Sequence, residues 1–415
     1  MQIFKFGGAS VNSIDRIKQV SEIVKANSQE PLVIIISAMG KTTNGLEKVV
    51  NAFFDGQKEN ALQLFEIVKQ QHLSTAKYLL VTHYNQCYVQ LNDFFTEVEW
   101  LLHDKPVRSY DYYYDQIVCS GELMSTCIIS HFFTEVGISN TWLDVRDLIR
   151  TDNNFRDAAI DWEFSSEKIK AAIHQPITIT QGFIGATYDN ESTTLGREGS
   201  DYTAAVFANI LAASNVTIWK DVEGVMSADP KAFPEASLMS ELSYNEVIEM
   251  AFYGAQVIHP KTIKPLQNKH IPLLVKCFLD PSLPGTIIHS KSKKDLPPII
   301  VVKAQQVLMH LSTQDFSFIG EEPMSALYLL FGKLKIKPNL IQTGAVSLQV
   351  CLDDHSTKID LLAQEASVFF DVQVEKNCQL LTIRHYTPAI VERFIENKNV
   401  ILRQQTSETI QLLYS

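Results

Sequence analysis

The beginning of the chain alternates between apolar strand patterns and an amphipathic helix pattern. Residues 2–6 form a short strand-like run, apolar residues recur at helical spacing from 11 to 20, and residues 32–36 form a second apolar run. A strand, a helix and a strand in this order predict a parallel strand pair joined by a right-handed crossover.

The alternation of strand and helix patterns resumes after a long helical stretch. Residues 44–102 have helical periodicity, and a further helix is predicted at 113–133. Strand patterns return at 141–145, 177–180 and 216–219, and an Ala-rich helix is predicted at 200–213. Alternating strands and helices predict an α/β domain with a mostly parallel central sheet between helices.

The pattern changes after a segment rich in Pro, Lys and Ser at 280–298, which marks the predicted domain boundary. Short strands then alternate with only three helical patterns, which predicts two α+β sandwiches of about 60 residues each. We therefore expect one domain at 1–292 and a tandem pair at 293–415. The predicted strands of the pair are 299–302, 339–341, 346–352, 368–374, 380–383, 400–402 and 409–413.

Composition narrows the class of protein. The 415 residues are 46% hydrophobic, which is enough for large buried cores, and the net charge of −11 argues against a nucleic-acid-binding surface. The six cysteines are dispersed without a Cys-x-x-Cys pair, so neither a zinc site nor a disulfide framework is predicted. No apolar run reaches the roughly 18 residues that span a bilayer, and no secretion signal is recognised. These features predict a cytoplasmic protein without membrane or nucleic-acid partners.

The familiar nucleotide-binding motifs are absent. Gly40-Lys41-Thr42 follows an apolar strand, but a P-loop requires a glycine where Ile35 stands. The dinucleotide fingerprint and the protein-kinase signatures are also missing. Phosphate binding in this chain must therefore use another arrangement.

One such arrangement follows the first strand. Lys5 stands near the carboxyl end of that strand, and Gly7 and Gly8 allow backbone N–H groups to approach a ligand before a helix begins. A cation, free N–H groups and a helix N-terminus suit an anion with several charges. The competing interpretation is a tight turn with a solvated lysine.

A second polar and glycine-rich stretch occurs at 196–203, after a Gly-Phe-Ile-Gly segment at 182–185. Arg197 can form paired hydrogen bonds with a carboxylate, and Ser200 opens a helix. Asp201 lies in the first turn of that helix, where an acid is also favourable simply because of the helix dipole.

Taken together, these segments resemble the aspartate kinases of the amino acid kinase family. The matching segments occur in family order over about the first 290 residues: 5–10, 37–44, 120–122, 182–185, 196–204, 219–230 and 254–260. The resemblance implies the amino acid kinase fold followed by two ACT-type regulatory domains. It also implies transfer of the ATP γ-phosphoryl group, with Mg²⁺, to the side-chain carboxylate of L-aspartate.

The reaction would yield 4-phospho-L-aspartate, the first step toward lysine, threonine and methionine. Phosphoryl transfer needs positioning and charge neutralisation rather than a covalent nucleophile on the enzyme. The resemblance assigns Lys5 and Asp201 to catalysis, with Lys5 bridging the phosphoryl group and the attacking carboxylate.

The resemblance also assigns the binding residues. Aspartate carries one ammonium group and two carboxylates, so its recognition requires an acid and a forked base. The substrate-binding residues implied are Ser37, Thr42, Glu122, Arg197 and Ser200. The nucleotide-binding residues implied are Gly7, Gly8, Lys220, Asp221 and Lys231. No protein side chain is assigned as a metal ligand.

Four positions depart from the family pattern. Gln256 stands where many members have a lysine that reaches the nucleotide, and Glu198 stands where glycine is frequent. In the tail, Asn339 and Ala345 replace acids, which removes the counter-charges for a cationic effector such as lysine. We expect an amino-acid effector site and a homodimer or larger homo-oligomer, with the effector left open.

Two alternatives remain at this point. The chain could be another enzyme of the same fold, acting on glutamate, acetylglutamate, carbamate or a nucleotide. It could also be a catalytically inactive effector-binding subunit that assembles with an active relative. The presence of Lys5, Glu122, Arg197 and Asp201 argues against the second alternative.

Overall fold

The computed structural model describes residues 1–255, 257–291, 295–315, 317–396 and 398–415. It divides into two compact units. The first unit consists of Met1–Val225, Leu238–Ile248 and Val257–Lys293, and the second of Met226–Ser237, Glu249–Gln256 and Lys294–Ser415. Two short segments that precede residue 292 in sequence therefore group with the second unit. The domain boundary at 292 stays a prediction.

The first unit contains an eight-stranded sheet and a small hairpin. The strands of the unit are β1 Gln2–Phe6, β2 Leu32–Ile36, β3 Thr141–Leu143, β4 Ile177–Gln181, β5 Ile184–Ala186, β6 Ser192–Thr194, β7 Asn215–Lys220, β8 Glu241–Ser243, β9 Leu273–Cys277 and β10 Thr286–His289. The order in the large sheet is β3-β4-β2-β1-β7-β9-β10-β8, and β5 pairs with β6.

Six neighbouring strands of the large sheet, from β3 to β9, run parallel. Only β10 is antiparallel to its neighbour β9, and β8 runs parallel to β10. The central strands β2 and β4 are buried along their whole length. A strand covered by helices on both faces needs a continuous apolar run, and the Leu-Val-Ile-Ile-Ile sequence of β2 meets that requirement. The prediction of a mostly parallel sheet is confirmed.

Helices cover the sheet on both sides. They are α1 Ile14–Ala26, α2 Thr42–Phe54, α3 Lys58–Leu79, α4 Tyr84–His103, α5 Tyr110–Val118, α6 Ser120–Glu135, α7 Trp162–Ala172, α8 Gly199–Leu211, α9 Tyr244–Phe252 and α10 Pro260–Lys269. The helix predicted at 113–133 is divided at Cys119 into α5 and α6, and Cys119 itself keeps a right-handed helical backbone. Most of α9 precedes residue 249 and so belongs to the first unit.

Among the described helices, one stretch has the length and apolarity needed to cross a membrane. It covers Tyr110–Glu135, and 83% of its most apolar window is buried within the protein. Almost every residue of α6 between Ser120 and Phe133 is buried. This burial is what a core helix requires.

The second unit contains an antiparallel sheet of six strands. The elements are β11 Ile299–Thr313, α11 Glu321–Leu334, β12 Leu340–Thr343, β13 Ser347–Asp353, α12 Ser356–Ala366, β14 Phe370–Arg384, α13 Pro388–Ile395, β15 Val400–Gln405 and β16 Thr409–Tyr414. The strand order is β12-β13-β11-β14-β16-β15.

The two α+β halves of this unit share their central strands. β11 pairs with β14 from Ile299 opposite Arg384 to Thr313 opposite Phe370, with an irregularity around Gln306. The separate strands predicted at 368–374 and 380–383 are therefore wrong, since both belong to β14. Each half keeps its own hydrophobic cluster, one around Met309 and another around Ile410. The antiparallel sheet with helices agrees with the ACT-type architecture.

Candidate active site

The segments predicted to carry the chemistry meet at one edge of the large sheet. Phe6 of β1 lies opposite Ile36 of β2 and Trp219 of β7, and Ile36 lies opposite Gln181 of β4. The residues that follow these four strands therefore lie side by side. Ligands of open α/β sheets bind outside the carboxyl ends of parallel strands, so the carboxyl end of these four strands is the expected site.

Glycine is required where the first two loops cross. A Cβ added to Gly8 would lie 2.7 Å from the backbone oxygen of Ala38 and 3.0 Å from that of Gly40. In return the Gly40 N–H donates to the Gly8 carbonyl oxygen at 3.0 Å. Gly8 thus allows the loop after β1 to pack directly against the loop after β2.

A cavity of about 390 Å³ opens between these loops and the beginning of α8. Three cations and three acids lie among the residues of its walls. The residues that line it are Lys5, Ser37, Thr43, Tyr114, Glu122, Arg156, Phe183, Thr194, Gly196, Arg197, Glu198, Gly199, Ser200 and Asp201. We call it the first cavity.

A second cavity of about 260 Å³ lies beside it. Gly7, Gly8, Ala9, Ser10, Trp219, Lys220, Asp221 and Phe278 line it together with three residues of the first cavity: Lys5, Glu198 and Asp201. The glycine-rich loop after β1 and the segment after β7 thus share one space. The two cavities meet at the Lys5 and Asp201 side chains.

Lys5 and Asp201 form a nearly buried ion pair, with Lys5 Nζ 2.6 Å from Asp201 Oδ1. Lys5 comes from the penultimate position of β1, and Asp201 comes from the first turn of α8. A charge held in a site of low water content interacts strongly with nearby charge. The lysine is therefore positioned for an anion that reaches from one cavity into the other.

Glu122 places a carboxylate without a full set of partners in the first cavity. Its Oε1 accepts the Ala38 N–H at 3.3 Å, while Oε2 is buried and has no hydrogen-bond partner among the described residues. Burial raises the pKa of Glu122 to about 8. A buried acid with one unpartnered oxygen suits a ligand that brings a cation.

Arg197 provides the opposite charge in the same cavity. Its side chain is exposed, and its guanidinium has no hydrogen-bond or ion-pair partner among the described residues. Guanidinium groups bind carboxylates through two parallel hydrogen bonds. The cavity therefore offers a carboxylate oxygen of Glu122 as a hydrogen-bond acceptor and the guanidinium of Arg197 as a double hydrogen-bond donor.

The serines of the two loops join strand β2 to helix α8. Ser37 Oγ donates to Ser200 Oγ at 3.0 Å, and Ser125 Oγ of α6 donates to the Ser37 carbonyl oxygen at 2.8 Å. A Cβ on Gly182 would lie 2.6 Å from Ser200 Cβ, so only glycine leaves room for this serine.

Similarity to known proteins agrees with this geometry. Residues 1–277 match the model of the amino acid kinase family. The chain is 30% identical to lysine-sensitive aspartokinase 3 of Escherichia coli over 92% of its own length and 86% of that relative. This chain belongs to the amino acid kinase family, and within it to the aspartokinases.

Further relatives extend the same assignment. The aspartokinase is 30% identical to chloroplastic aspartokinase 1 of Arabidopsis thaliana over 85% of its own length, but it spans only 63% of that relative. The crystal structure of E. coli aspartokinase III with aspartate and ADP matches it with a TM-score of 0.85 and 26% identity, over 100% of this chain and 96% of the other.

Most of the residues predicted for this aspartokinase line one of the two cavities. Lys5, Ser37, Glu122, Arg197, Ser200 and Asp201 line the first, and Gly7, Gly8, Lys220 and Asp221 line the second. Lys220 also donates from Nζ to the Val257 carbonyl oxygen at 2.6 Å. Their individual roles stay predictions.

Two predicted site residues lie elsewhere. The Thr42 hydroxyl is buried and donates to the Met39 carbonyl oxygen at 2.7 Å, while the neighbouring Thr43 lines the first cavity. Lys231 belongs to the second unit, where its N–H donates to Asp229 Oδ1 at 3.0 Å. Gln256 lies outside the described residues.

Glu198 has a backbone conformation that favours glycine. Its φ of 54° is in the left-handed region, which costs a residue with a side chain roughly 1–3 kcal/mol. In this aspartokinase the Glu198 carboxylate accepts the His259 N–H at 2.8 Å. The side chain thus ties the beginning of α8 to the segment before α10.

Sequence reasoning assigned no role to Tyr114, Arg156, Phe183 and Thr194 of the first cavity, and all of these except Phe183 lie outside the matching segments. Arg156 and Phe183 also have left-handed backbones, with φ of 70° and 74°. Non-glycine residues in this conformation cluster at functional sites. Only Phe183 had a usable signal, since it lies between the glycines of a motif.

A buried acid holds part of this wall in place. Asp115 Oδ2 accepts the N–H groups of Arg156 at 2.9 Å and Thr194 at 2.8 Å, and Oδ1 accepts the Thr194 hydroxyl at 2.8 Å. Burial raises the pKa of Asp115 to about 6. The Arg156 guanidinium stacks on Tyr114, with Cζ 4.3 Å from the ring centroid, and pairs with Asp111.

Proposed function

We propose that this protein is an aspartate kinase that transfers the γ-phosphoryl group of ATP to the side-chain carboxylate of L-aspartate. The observation that carries the proposal is the position of Lys5 and Asp201, which line both cavities at once. The γ-phosphoryl group passes from one substrate to the other. A single cation at the boundary between the two cavities can neutralise charge on both substrates.

The first cavity is the aspartate site in this proposal. The unpartnered oxygen of Glu122 accepts the substrate ammonium, and Arg197 binds the α-carboxylate. The side-chain carboxylate then points toward Lys5. Crystals of the similar E. coli aspartokinase III contain aspartate and ADP, which supports a site for both ligands here.

The second cavity is the nucleotide phosphate site. The loop of Gly7 and Gly8 supplies backbone N–H groups, and Lys220 contributes a cation. Carboxylates of Asp201 and Asp221 line this cavity, and oxygen ligands of this kind together with phosphates suit Mg²⁺. The metal, when bound, neutralises phosphate charge.

The reaction balances without a covalent enzyme intermediate. An oxygen of the aspartate side chain forms a bond to the γ-phosphorus while the bond from that phosphorus to the bridging oxygen of ADP breaks. The products are 4-phospho-L-aspartate and ADP. Lys5 holds the attacking carboxylate and the transferring group in line, and no proton transfer is required because the attacking carboxylate is already ionised.

A substrate panel tests the proposal. ADP release is measured with L-aspartate, L-glutamate, N-acetylglutamate and a nucleoside monophosphate, each with ATP and Mg²⁺. We expect turnover with aspartate and little with the others. Turnover with glutamate but not aspartate would assign a different enzyme of the family, and no turnover with any of them would favour a catalytically inactive subunit.

We further propose a cytoplasmic homo-oligomer in which the second unit has a regulatory role. The two shared central strands give this unit one rigid sheet with helices, as expected for paired ACT-type domains. Sedimentation of the full chain at several concentrations, with and without candidate amino acids, measures the assembly.

A further inference from the structure

Two helices of the first unit bring two thiols and an imidazole together away from the candidate active site. Cys87 lies on α4 and Cys127 on α6, with their Sγ atoms 3.9 Å apart. His131 follows Cys127 by one helical turn. One ligand atom of each of these three residues lies within 4.8 Å of the others. We call this group the Cys-Cys-His cluster.

The sequence spacing explains why the side chains face each other. Residues four apart share one face of a helix, so Cys127 and His131 point the same way from α6. His83 precedes Cys87 by the same interval, at the beginning of α4, and its ring centroid lies 6.4 Å from that of His131. Two helices thus each present one thiol and one imidazole.

The separation of the two sulfurs matches a shared metal ion. With zinc–sulfur bonds of about 2.3 Å, two thiolates on a tetrahedral ion lie about 3.8 Å apart. A disulfide would require about 2.05 Å, so the sulfurs are not bonded. Sulfur and imidazole ligands in this number select zinc over magnesium or calcium, which prefer oxygen.

Charge and access also favour an ion here. Two thiolates balance the charge of a dication, so the buried complex carries no net charge. His131 is only half-buried, which leaves a route from solvent to the cluster. Gln90 Oε1 lies 3.2 Å from Nε2 of His131 and gives the ring a partner that helps to orient it.

We propose that Cys87, Cys127 and His131 bind one Zn²⁺ ion that joins α4 to α6. His83, whose ring centroid lies 6.4 Å from that of His131, is the candidate for a fourth ligand. The ion would restrain α6, the helix whose first turn carries Glu122 into the first cavity. Zinc binding itself does not depend on the proposed aspartate kinase activity.

Cobalt titration tests the site. Full-length protein with all thiols reduced is freed of metal and titrated with Co²⁺ under anaerobic conditions. We expect one equivalent to give a thiolate-to-cobalt absorption band and intense visible bands of a tetrahedral site, both abolished by Zn²⁺. Absence of these bands in protein with a full thiol count would overturn the proposal.

Variants identify the ligands. Cys87→Ser and Cys127→Ser should each weaken Co²⁺ binding by at least about tenfold. His131→Gln and His83→Gln test whether each imidazole is a ligand. The matched control is Cys277→Ser, since Cys277 is also buried but lies on β9. Equal cobalt bands in the Cys87→Ser/Cys127→Ser double variant would exclude the cluster as the site.

Thermal unfolding gives a measurement that does not depend on the absorption bands of cobalt. Zn²⁺ should raise the Tm of the wild-type chain and of Cys277→Ser but not of the double variant, because only a folded-state ligand stabilises the fold. Circular dichroism without metal establishes that the variants are folded. A pair that oxidises to a disulfide in air and binds no metal when reduced would also overturn the proposal.

Discussion

The Nζ atom of Lys5 lies 2.6 Å from Oδ1 of Asp201, in an ion pair whose side chains are 12% and 5% exposed. Strand β1 and helix α8, distant in sequence, hold these two charges at the wall shared by both cavities. Because a buried charge is costly without its partner, each residue depends on the other for its position.

Replacing Lys5 should affect the transition state most. We expect Lys5→Ala to lower kcat by about two orders of magnitude or more, with a smaller change in nucleotide affinity. Removal of one hydrogen-bond donor from an oxyanion hole causes a loss of this size. Turnover is followed by ADP release and affinity by ADP titration. Lys25→Ala, which removes an exposed lysine paired with Glu22, serves as the control. Near-normal turnover of Lys5→Ala would refute the role assigned to Lys5.

Substrate binding should depend on pH through Glu122. Its pKa of about 8 means that the carboxyl is mostly protonated at pH 7 in the free protein, whereas the substrate ammonium requires the ionised form. Aspartate affinity should therefore rise by up to about tenfold per pH unit toward pH 8 and then level off. Calorimetry at pH 7 in buffers of different ionisation enthalpy should detect proton release. Equal binding enthalpies in those buffers would contradict the assignment.

The same residue should make the fold less stable as pH rises. The pKa of Glu122 in the folded chain exceeds its ordinary value of 4.5, so between about pH 4.5 and pH 8 the folded state binds more protons than the unfolded state. Its contribution to the free energy of unfolding therefore decreases across that range. Urea unfolding of the wild type and of Glu122→Gln at pH 5 and pH 8 measures this. The variant should lose less stability between the two pH values.

The two arginines of the first cavity should differ in their effect on KM. The Arg197 guanidinium has no partner among the residues that the structure describes, so Arg197→Lys should raise the KM for aspartate about 10- to 100-fold by removing paired hydrogen bonds. Arg156→Lys should have a smaller effect, because the Arg156 guanidinium already stacks on Tyr114 and pairs with Asp111. Steady-state kinetics on both variants measure the two KM values for aspartate. A larger effect at Arg156 would reverse the assignment of the carboxylate clamp.

A single methyl group at Gly182 should disturb the aspartate site. The added Cβ would lie 2.6 Å from Ser200 Cβ, so Gly182→Ala should displace the beginning of α8 and reduce kcat/KM. Gly332→Ala is the matched control, since nothing lies within 4 Å of its added Cβ and alanine favours the helix by about 0.5–1 kcal/mol. Activity and thermal unfolding are measured for both. Full activity in Gly182→Ala would show that the contact can relax.

Lysine at millimolar concentration should inhibit this enzyme only weakly. The Asn339 amide is fully used, since Oδ1 accepts Lys303 Nζ at 2.7 Å and Nδ2 donates to Gln306 and Asp353. No acid stands at 339 or 345 to pair with an incoming ammonium group. Initial rates with and without L-lysine test this. Strong inhibition, as the name of the lysine-sensitive E. coli relative describes for that protein, would make our interpretation of these two substitutions wrong.

Much of the chemistry was accessible from local sequence. Glycines after apolar strands, Lys5 at the end of β1 and the acid in the first turn of α8 follow short-range rules of backbone conformation and helix dipoles. Those rules depend on a few neighbouring residues. The parallel sheet and the two loops at its edge could therefore be predicted.

Other features depend on distant pairing. Whether Thr42 or Thr43 faces the cavity is decided by how α2 begins, since the Thr42 hydroxyl turns back to the Met39 carbonyl oxygen in the loop after β2. Arg156 lies in the cavity wall with its N–H held by buried Asp115. Short strand patterns around 299 and 380 could not reveal that they pair within a single shared sheet.

The sequence by itself determined the fold class, the family resemblance and ten of the residues that line the two cavities, because these depend on hydrophobic periodicity and on short motifs. The tertiary structure alone decided that Lys5 and Asp201 lie between the cavities and that Cys87 lies next to Cys127. It also decided that one Glu122 oxygen is buried without a partner in the described part of the chain. Such contacts result from packing free energy summed over the whole fold, which no local stretch of sequence contains.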